Sequence, residues 1–277
     1  MAGRGAFRFG TDPWDPSHRF ETSWVLSPWV LFWIRALFAV YALFTSIFTL
    51  GWSCTHAPTG CDAADAKFSY FTVLTYWGLA FYFLVAAVHT FTYARTGVAL
   101  LDRFPRPLQA LHSAYYSTIV VYPFIVTIVF WGILFDGPWF SVVFDGWSNV
   151  SQHALNSAFA LFEIFVPRTN PMPPVHMLWL VLVLALYLAV AYITHATQGW
   201  YPYGFLDPGK QHAFVAAYVF GIAVGALIVF GVVWGLIWLR KWVTETKLGK
   251  TGKFAHESRS RDEMAEAGLE LPITPNK

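Results

Sequence analysis

The stretch PWVLFWIRALFAVYALFTSIFTLG, residues 28–51, decides what kind of protein this is. At about 1.5 Å per helical residue it is long enough to cross a bilayer core of roughly 30 Å, and Arg35 is its one charge. Comparable apolar runs follow at 68–93, 107–135, 148–166, 175–197 and 212–239. In lipid every peptide group needs an internal partner, and the short alternating strands of a barrel are missing, so the runs read as helices. The expected fold is an all-α, polytopic bundle of six transmembrane helices. The third and sixth runs exceed the minimum length, which implies tilt.

The rest of the chain agrees. Of its 277 residues 56% are hydrophobic, 19% aromatic and only 12% charged, against about 25% charged in soluble domains. A net charge of +2, unevenly placed, gives no footprint for nucleic acid. The two cysteines form no Cys-x-x-Cys pair, and neither metal nor cofactor is expected. Residues 1–27 lack an apolar core, so no cleavable signal peptide is expected and the first span acts as its own insertion signal. The chain divides into an N-terminal tail (1–27), the helical domain (28–242) and a charged C-terminal tail (243–277). The basic start of that last tail suits anionic lipid, and the remainder reads as partly disordered.

Orientation follows from the cations. Arg4, Arg8, Arg19, Arg95, Arg103, Arg106, Arg168 and the cluster beginning at Arg240 fall on one side, with Lys67 and Lys210 on the other. The positive-inside rule then puts both termini in the cytosol. Cys54 and Cys61 share a loop on the opposite side, where a disulfide is permitted, with unpaired thiols as the alternative. Asn149-Val150-Ser151 matches a glycosylation sequon, but it opens the fourth run and is not expected to be used.

Ionisable groups within a bilayer are costly and mark function or pairing. Asn149, His153, Asn156 and Glu163 are spaced to share one face of the fourth helix. Near the same non-cytosolic level lie Thr72, Thr75 one turn deeper, and His195. A threonine hydroxyl becomes a nucleophile when a neighbouring base takes its proton, and an apolar surround keeps imidazole in its free-base form. Thr72 with His153 is therefore a coherent acyl-transfer pair. Asn149, Asn156 and Gln198 are candidates to orient the ring or hold an oxyanion, and Asp207 is the nearest acid outside a span. The bland alternative is that Thr and His simply glue helices together. On the cytosolic side Arg35 and Glu163 read as a structural ion pair, and His89 and His112 as hydrogen-bonded bundle residues.

At these residues the chain resembles the androgen-induced gene/ADTRP family of six-span membrane proteins, in a fungal-type branch. Tyr70-Phe71-Thr72 resembles the family's Tyr-Leu-Thr. Asn149, His153, Phe159 and Glu163 stand at its Asn-x3-His-x5-Phe-x3-Glu spacing. His195 through Phe205, with Gly199, Trp200 and Tyr203, is similar to its His-x3-Gly-x-Trp-x-Tyr-Pro-Phe segment. The departures are a tryptophan shifted by one, Tyr203 in place of the phenylalanine, and a basic residue two positions further from the threonine. That last departure keeps Thr75 as a rival nucleophile. The resemblance implies hydrolysis of lipid esters, typically fatty acid esters of hydroxy fatty acids, by Thr72 and His153. The partners are then bilayer lipids, and a location in the endoplasmic reticulum or another endomembrane is expected. Phe71, Phe159, Trp200 and Tyr203 line the expected acyl groove, packing or an interfacial aromatic belt being the alternative for each. Two other functions compete: a haem electron-transfer protein ligated by His89 with His112 and His153 with His195, and a non-catalytic transporter or scaffold.

Overall fold

Helix α1, Pro28–His56, shows how a lipid-facing helix is built. Ser27 caps it by accepting from the Val30 N–H, and Pro28 occupies the first turn, where a missing N–H costs nothing. Its buried side is small and polar (Ala39, Ala42, Thr45, Ser46, Thr49 and Ser53, with Arg35 above them). Its outer side is the reverse, with Trp33, Leu37, Val40 and Ile47 each more than 60% exposed. A water-soluble helix would turn those residues inward; small residues inside and bulky apolar ones outside are what bilayer packing favours.

The computed structural model describes residues 15–251. The cations Arg4 and Arg8 of the expected N-terminal tail, and the expected disorder of the C-terminal tail beyond Thr251, lie outside the described residues. After α1 come α2 (Cys61–Lys67), α3 (Phe71–Thr96), α4 (Arg106–Val129) and α5 (Val143–Val150). They are followed by α6 (Asn156–Phe165), α7 (His176–Gln198), the short α8 (Pro208–Gln211) and α9 (Phe214–Lys241). No strand forms among the described residues beyond an isolated bridge between Ser23 and Pro167. Helices α1 and α3 pack along much of their length, and α4 sits centrally against α3, α6, α7 and α9.

Among the described residues five helical stretches are long and apolar enough to cross a membrane: Pro28–His56, Phe71–Thr96, Arg106–Leu134, His176–Gln198 and Phe214–Lys247. The expected fourth run differs. It is a helical stretch from Val143 to Phe165 broken at its middle by a π-helical turn, Ser151–Leu155, between α5 and α6. Helix α4 carries Pro123 inside it and ends in a π turn of its own, Phe130–Leu134. Other boundaries also shift. Helix α1 extends through Cys54, α2 occupies part of the expected loop, and Cys54 and Cys61 form a disulfide across that corner. Helix α3 begins at Phe71, which puts Thr72 in its first turn.

The expected tails begin as ordered structure. Residues 15–27 lie back across the bundle end: Arg168 N–H donates to the Thr22 carbonyl, Trp24 Nε1 to the Phe165 carbonyl, and Arg19 pairs with Glu245. Glu245 belongs to a π-helical extension of α9, Trp242–Lys247, where a tail was expected.

Candidate functional site

At the end of the bundle carrying residues 15–27, Arg35 and Glu163 form a bidentate pair. Nε donates to Oε1 and Nη2 to Oε2, each at 2.8 Å. Arg35 Nη1 also donates to the Phe20 carbonyl and the Thr90 hydroxyl at 2.7 Å, and Tyr82 donates to Glu163 at 3.1 Å. Both residues are essentially inaccessible. Each nitrogen of the guanidinium has an acceptor, and no described cavity reaches the pair, so the expected ion pair is present and closed.

The other end is open. Thr72 and His153 line one cavity of about 760 Å³, together with Lys67, Asn149, Gln152 and Trp200. Thr72 also lines a second, almost wholly apolar cavity of about 220 Å³ between α3, α4, α7 and α9. Phe130, Leu134 and Tyr203 are shared by both, so Thr72 stands at the seam between a polar vestibule and an apolar groove.

His153 is held firmly. Its position in the π turn tilts it out of ordinary helical register, and such turns recur at functional sites. The ring stacks on Phe130 at 3.6 Å between centroids, and Trp131 Nε1 donates to the His153 carbonyl at 2.9 Å. Phe130 and Trp131 belong to the π turn of α4, so the two irregular turns clasp each other. His153 Nδ1 lies 3.0 Å from the Asn149 carbonyl. A carbonyl only accepts, so Nδ1 carries the proton and Nε2 is left as the base.

Thr72 and Thr75 are distinguished by their hydrogen bonds. The Thr75 hydroxyl donates back to its own helix, to the Phe71 carbonyl at 2.8 Å and the Thr72 carbonyl at 3.1 Å, and it faces a different cavity. The Thr72 hydroxyl makes no such back-bond. In the first turn of α3 the N–H groups of Phe71, Thr72 and Val73 precede the first intrahelical bond, Leu74 N–H to the Tyr70 carbonyl, and Tyr70 supplies no side-chain cap.

The remaining expected residues divide. Asn149 lines the vestibule but serves His153 through its backbone carbonyl, its amide donating to the Asp145 carbonyl at 2.9 Å. Asn156 is not at the site: it donates to the Pro123 carbonyl and accepts from Thr127, tying its stretch to α4 around Pro123. His195 stacks on Tyr201 outside both cavities, and Gln198 accepts from Trp200 Nε1 at 3.1 Å, so it meets the vestibule only through that ring. Phe71 lines the apolar groove and Trp200 the vestibule. Phe159, expected in the groove, packs instead in the core on Phe38 at 4.3 Å and against Phe83. Asp207 caps α8 and pairs with Lys210, so it does not serve His153. His89 and His112 meet edge to face at 5.3 Å, with no gap for a macrocycle between them.

Sequence reasoning missed Lys67 and Asp145 in the vestibule. Asp145, Asn149 and His153 recur every four residues, a signal that was available in the spacing. Burial lowers the Lys67 pKa, with Asp145 opposing that shift.

These features define a multi-helix membrane protein with a cavity system opening beside a helix N-terminus. The match to a family model makes the assignment closer: residues 33–239 fit the FAR-17a/AIG1-like proteins, and the chain belongs to that family. No curated protein and no solved structure matches it.

Proposed function

We propose that the protein hydrolyses lipid esters inside the membrane, with Thr72 as nucleophile and His153 as general base. The observation that carries this reading is the seam: one hydroxyl, free of helix back-bonding, faces an apolar groove and a polar vestibule that also holds a histidine with its Nε2 unused. An ester with its acyl chain in the groove would present its carbonyl to Thr72, and water would arrive through the vestibule.

In the acylation step Thr72 Oγ attacks the carbonyl carbon while its proton passes to His153 Nε2. The tetrahedral intermediate expels the alcohol, which takes that proton from the imidazolium. A water deprotonated by His153 then releases the fatty acid and restores Thr72. Without an acid on Nδ1, the Asn149 carbonyl fixes the tautomer, and modest turnover is expected.

The same reading takes Val143–Phe165 as a sixth crossing, since a helical stretch of that length spans about 34 Å at 1.5 Å per residue. It puts both termini in the cytosol, as the cation distribution suggests, and the protein in an endomembrane such as the endoplasmic reticulum. Fatty acid esters of hydroxy fatty acids are the substrate type that the family resemblance favours.

The test is hydrolysis of a long-chain p-nitrophenyl ester by purified protein in detergent. Thr72→Ala and His153→Ala should each fall to background at normal expression, and Thr75→Ala should retain activity. Full activity in Thr72→Ala with loss in Thr75→Ala would move the nucleophile by one turn; retention in both Thr72→Ala and His153→Ala would end the proposal.

A further inference from the structure

A threonine–histidine pair leaves one requirement unmet: something has to hold the negative oxygen that forms as the carbonyl is attacked. The side-chain amides around the vestibule are engaged elsewhere, Gln152 donating to the Ser148 carbonyl at 3.3 Å. Asn149 donates to Asp145, Asn156 is turned toward α4, and Gln198 engages Trp200.

Tyr203 is placed differently. It follows the turn made by Gly199, whose φ of 79° ends α7 in the left-handed region and whose N–H donates to the His195 carbonyl. That turn returns the chain over the first turn of α3. Tyr203 lines both cavities at the seam occupied by Thr72, and its ring packs against Tyr70 at 5.7 Å and Tyr187 at 6.3 Å. Its hydroxyl faces the Thr72 side chain, the N–H groups of Phe71 and Thr72, and the Tyr187 hydroxyl. Tyr187 is itself fixed, donating to the Ser69 carbonyl at 3.0 Å.

We propose that Tyr203 is a catalytic residue of this site, its phenol O–H donating to the ester carbonyl oxygen as Thr72 attacks. The donors around its oxygen are the unbonded N–H groups that open α3. A hydroxyl whose oxygen is faced by backbone N–H groups has its own proton directed outward and polarised, which makes it a better donor. Burial raises the Tyr203 pKa, so the group remains a neutral phenol through the assay range. Tyr203 forms no bond and exchanges no proton; it hydrogen-bonds the oxygen while the Thr72 proton goes to His153.

The inference rests on the hydrolase reading, and Thr72→Ala in the same assay separates the two. Tyr203→Phe removes one oxygen and keeps the ring, so packing and folding should hold. With the long-chain p-nitrophenyl ester, kcat is expected to fall by about 10²-fold, the usual loss for one oxyanion donor, with KM within about twofold of wild type. Labelling of Thr72 by a fluorophosphonate should slow in parallel, because the phosphonyl oxygen needs the same donor. Thr72→Ala inactive with Tyr203→Phe at full kcat would overturn the role of Tyr203 and leave the hydrolase intact. A rise in KM alone, with kcat unchanged, would also overturn it, reducing Tyr203 to a groove wall. Activity in Thr72→Ala would remove the reaction on which the inference depends.

Discussion

The two ends of the bundle bury polar groups in opposite ways. In the Arg35–Glu163 pair itself donors and acceptors are matched, Tyr82 and Tyr116 close the shell, and the cavity of about 140 Å³ beside Phe20 and Tyr116 stops short of both charges. At the Thr72–His153 end a threonine hydroxyl free of helix back-bonding, met by the Tyr203 phenol, and an unpaired ring nitrogen stand beside open volume. Both ends carry residues that lipid alone would not tolerate, so the presence of polar residues does not separate structure from chemistry. Saturation does: a satisfied pair has nothing left to give a substrate, and an unsatisfied one beside a cavity does.

Crossed substitutions attack that contrast where the expected effects are largest. Glu163→Gln leaves a buried guanidinium uncompensated and should cost about 3–5 kcal/mol of stability, read as a large drop in thermal midpoint in detergent. Its turnover per folded molecule should stay near wild type. His153→Ala should do the reverse, removing turnover with a far smaller shift in midpoint. If Glu163→Gln were stable but inactive, the carboxylate would belong to the chemistry and the contrast would fail.

Much of the architecture could be read from hydropathy because bilayer thickness sets a length that each apolar run has to meet. The bidentate pair was legible too, since an arginine within a span needs an acid and Glu163 was the available one. The π turns were not. Residues 148–166 carry no local mark of the extra residue that tilts His153 toward Phe130; it follows from how α4, ending in its own π turn, packs against that stretch. Asn156 shares a face with His153 only in unbroken register, and the π turn between them sends it to Pro123; Phe159, expected in the groove from the resemblance, packs on Phe38. In the sequence Tyr203 is an expected groove residue and a tyrosine where the resembled family has phenylalanine, with nothing that marks its hydroxyl. Its contact with Thr72 depends on the Gly199 turn, which periodicity does not report. Residues 15–27 read as a tail because they are polar, and their order comes from contacts with Pro167, Arg168 and Glu245 far along the chain.

Smaller effects sharpen the same contrast. Trp131→Phe removes the donor to the His153 carbonyl, a bond worth about 1 kcal/mol, and should lower kcat several-fold through misplacement of the ring, measured with the same ester. Thr75→Ala, which deletes only a back-bond in α3, should change kcat by less than about twofold. At the closed end Glu21 is fully buried with Oε1 unpaired, and burial, with Asp15 next, raises its pKa to about 8. An acid whose folded pKa lies above its unfolded value binds protons more tightly when folded, so stability should decline as pH rises from about 4.5 toward 8. Glu21→Gln should therefore raise the thermal midpoint relative to wild type more at pH 8.5 than at pH 5. An equal shift at both values would show that Glu21 does not titrate in that window.

The most direct measurement is mass spectrometry of the intact protein after fluorophosphonate treatment, followed by peptide mapping of the adduct. One phosphonyl group is expected, on Thr72, absent when His153 is alanine. An adduct on Thr75, or hydrolytic activity that survives with Thr72 unmodified, would contradict it.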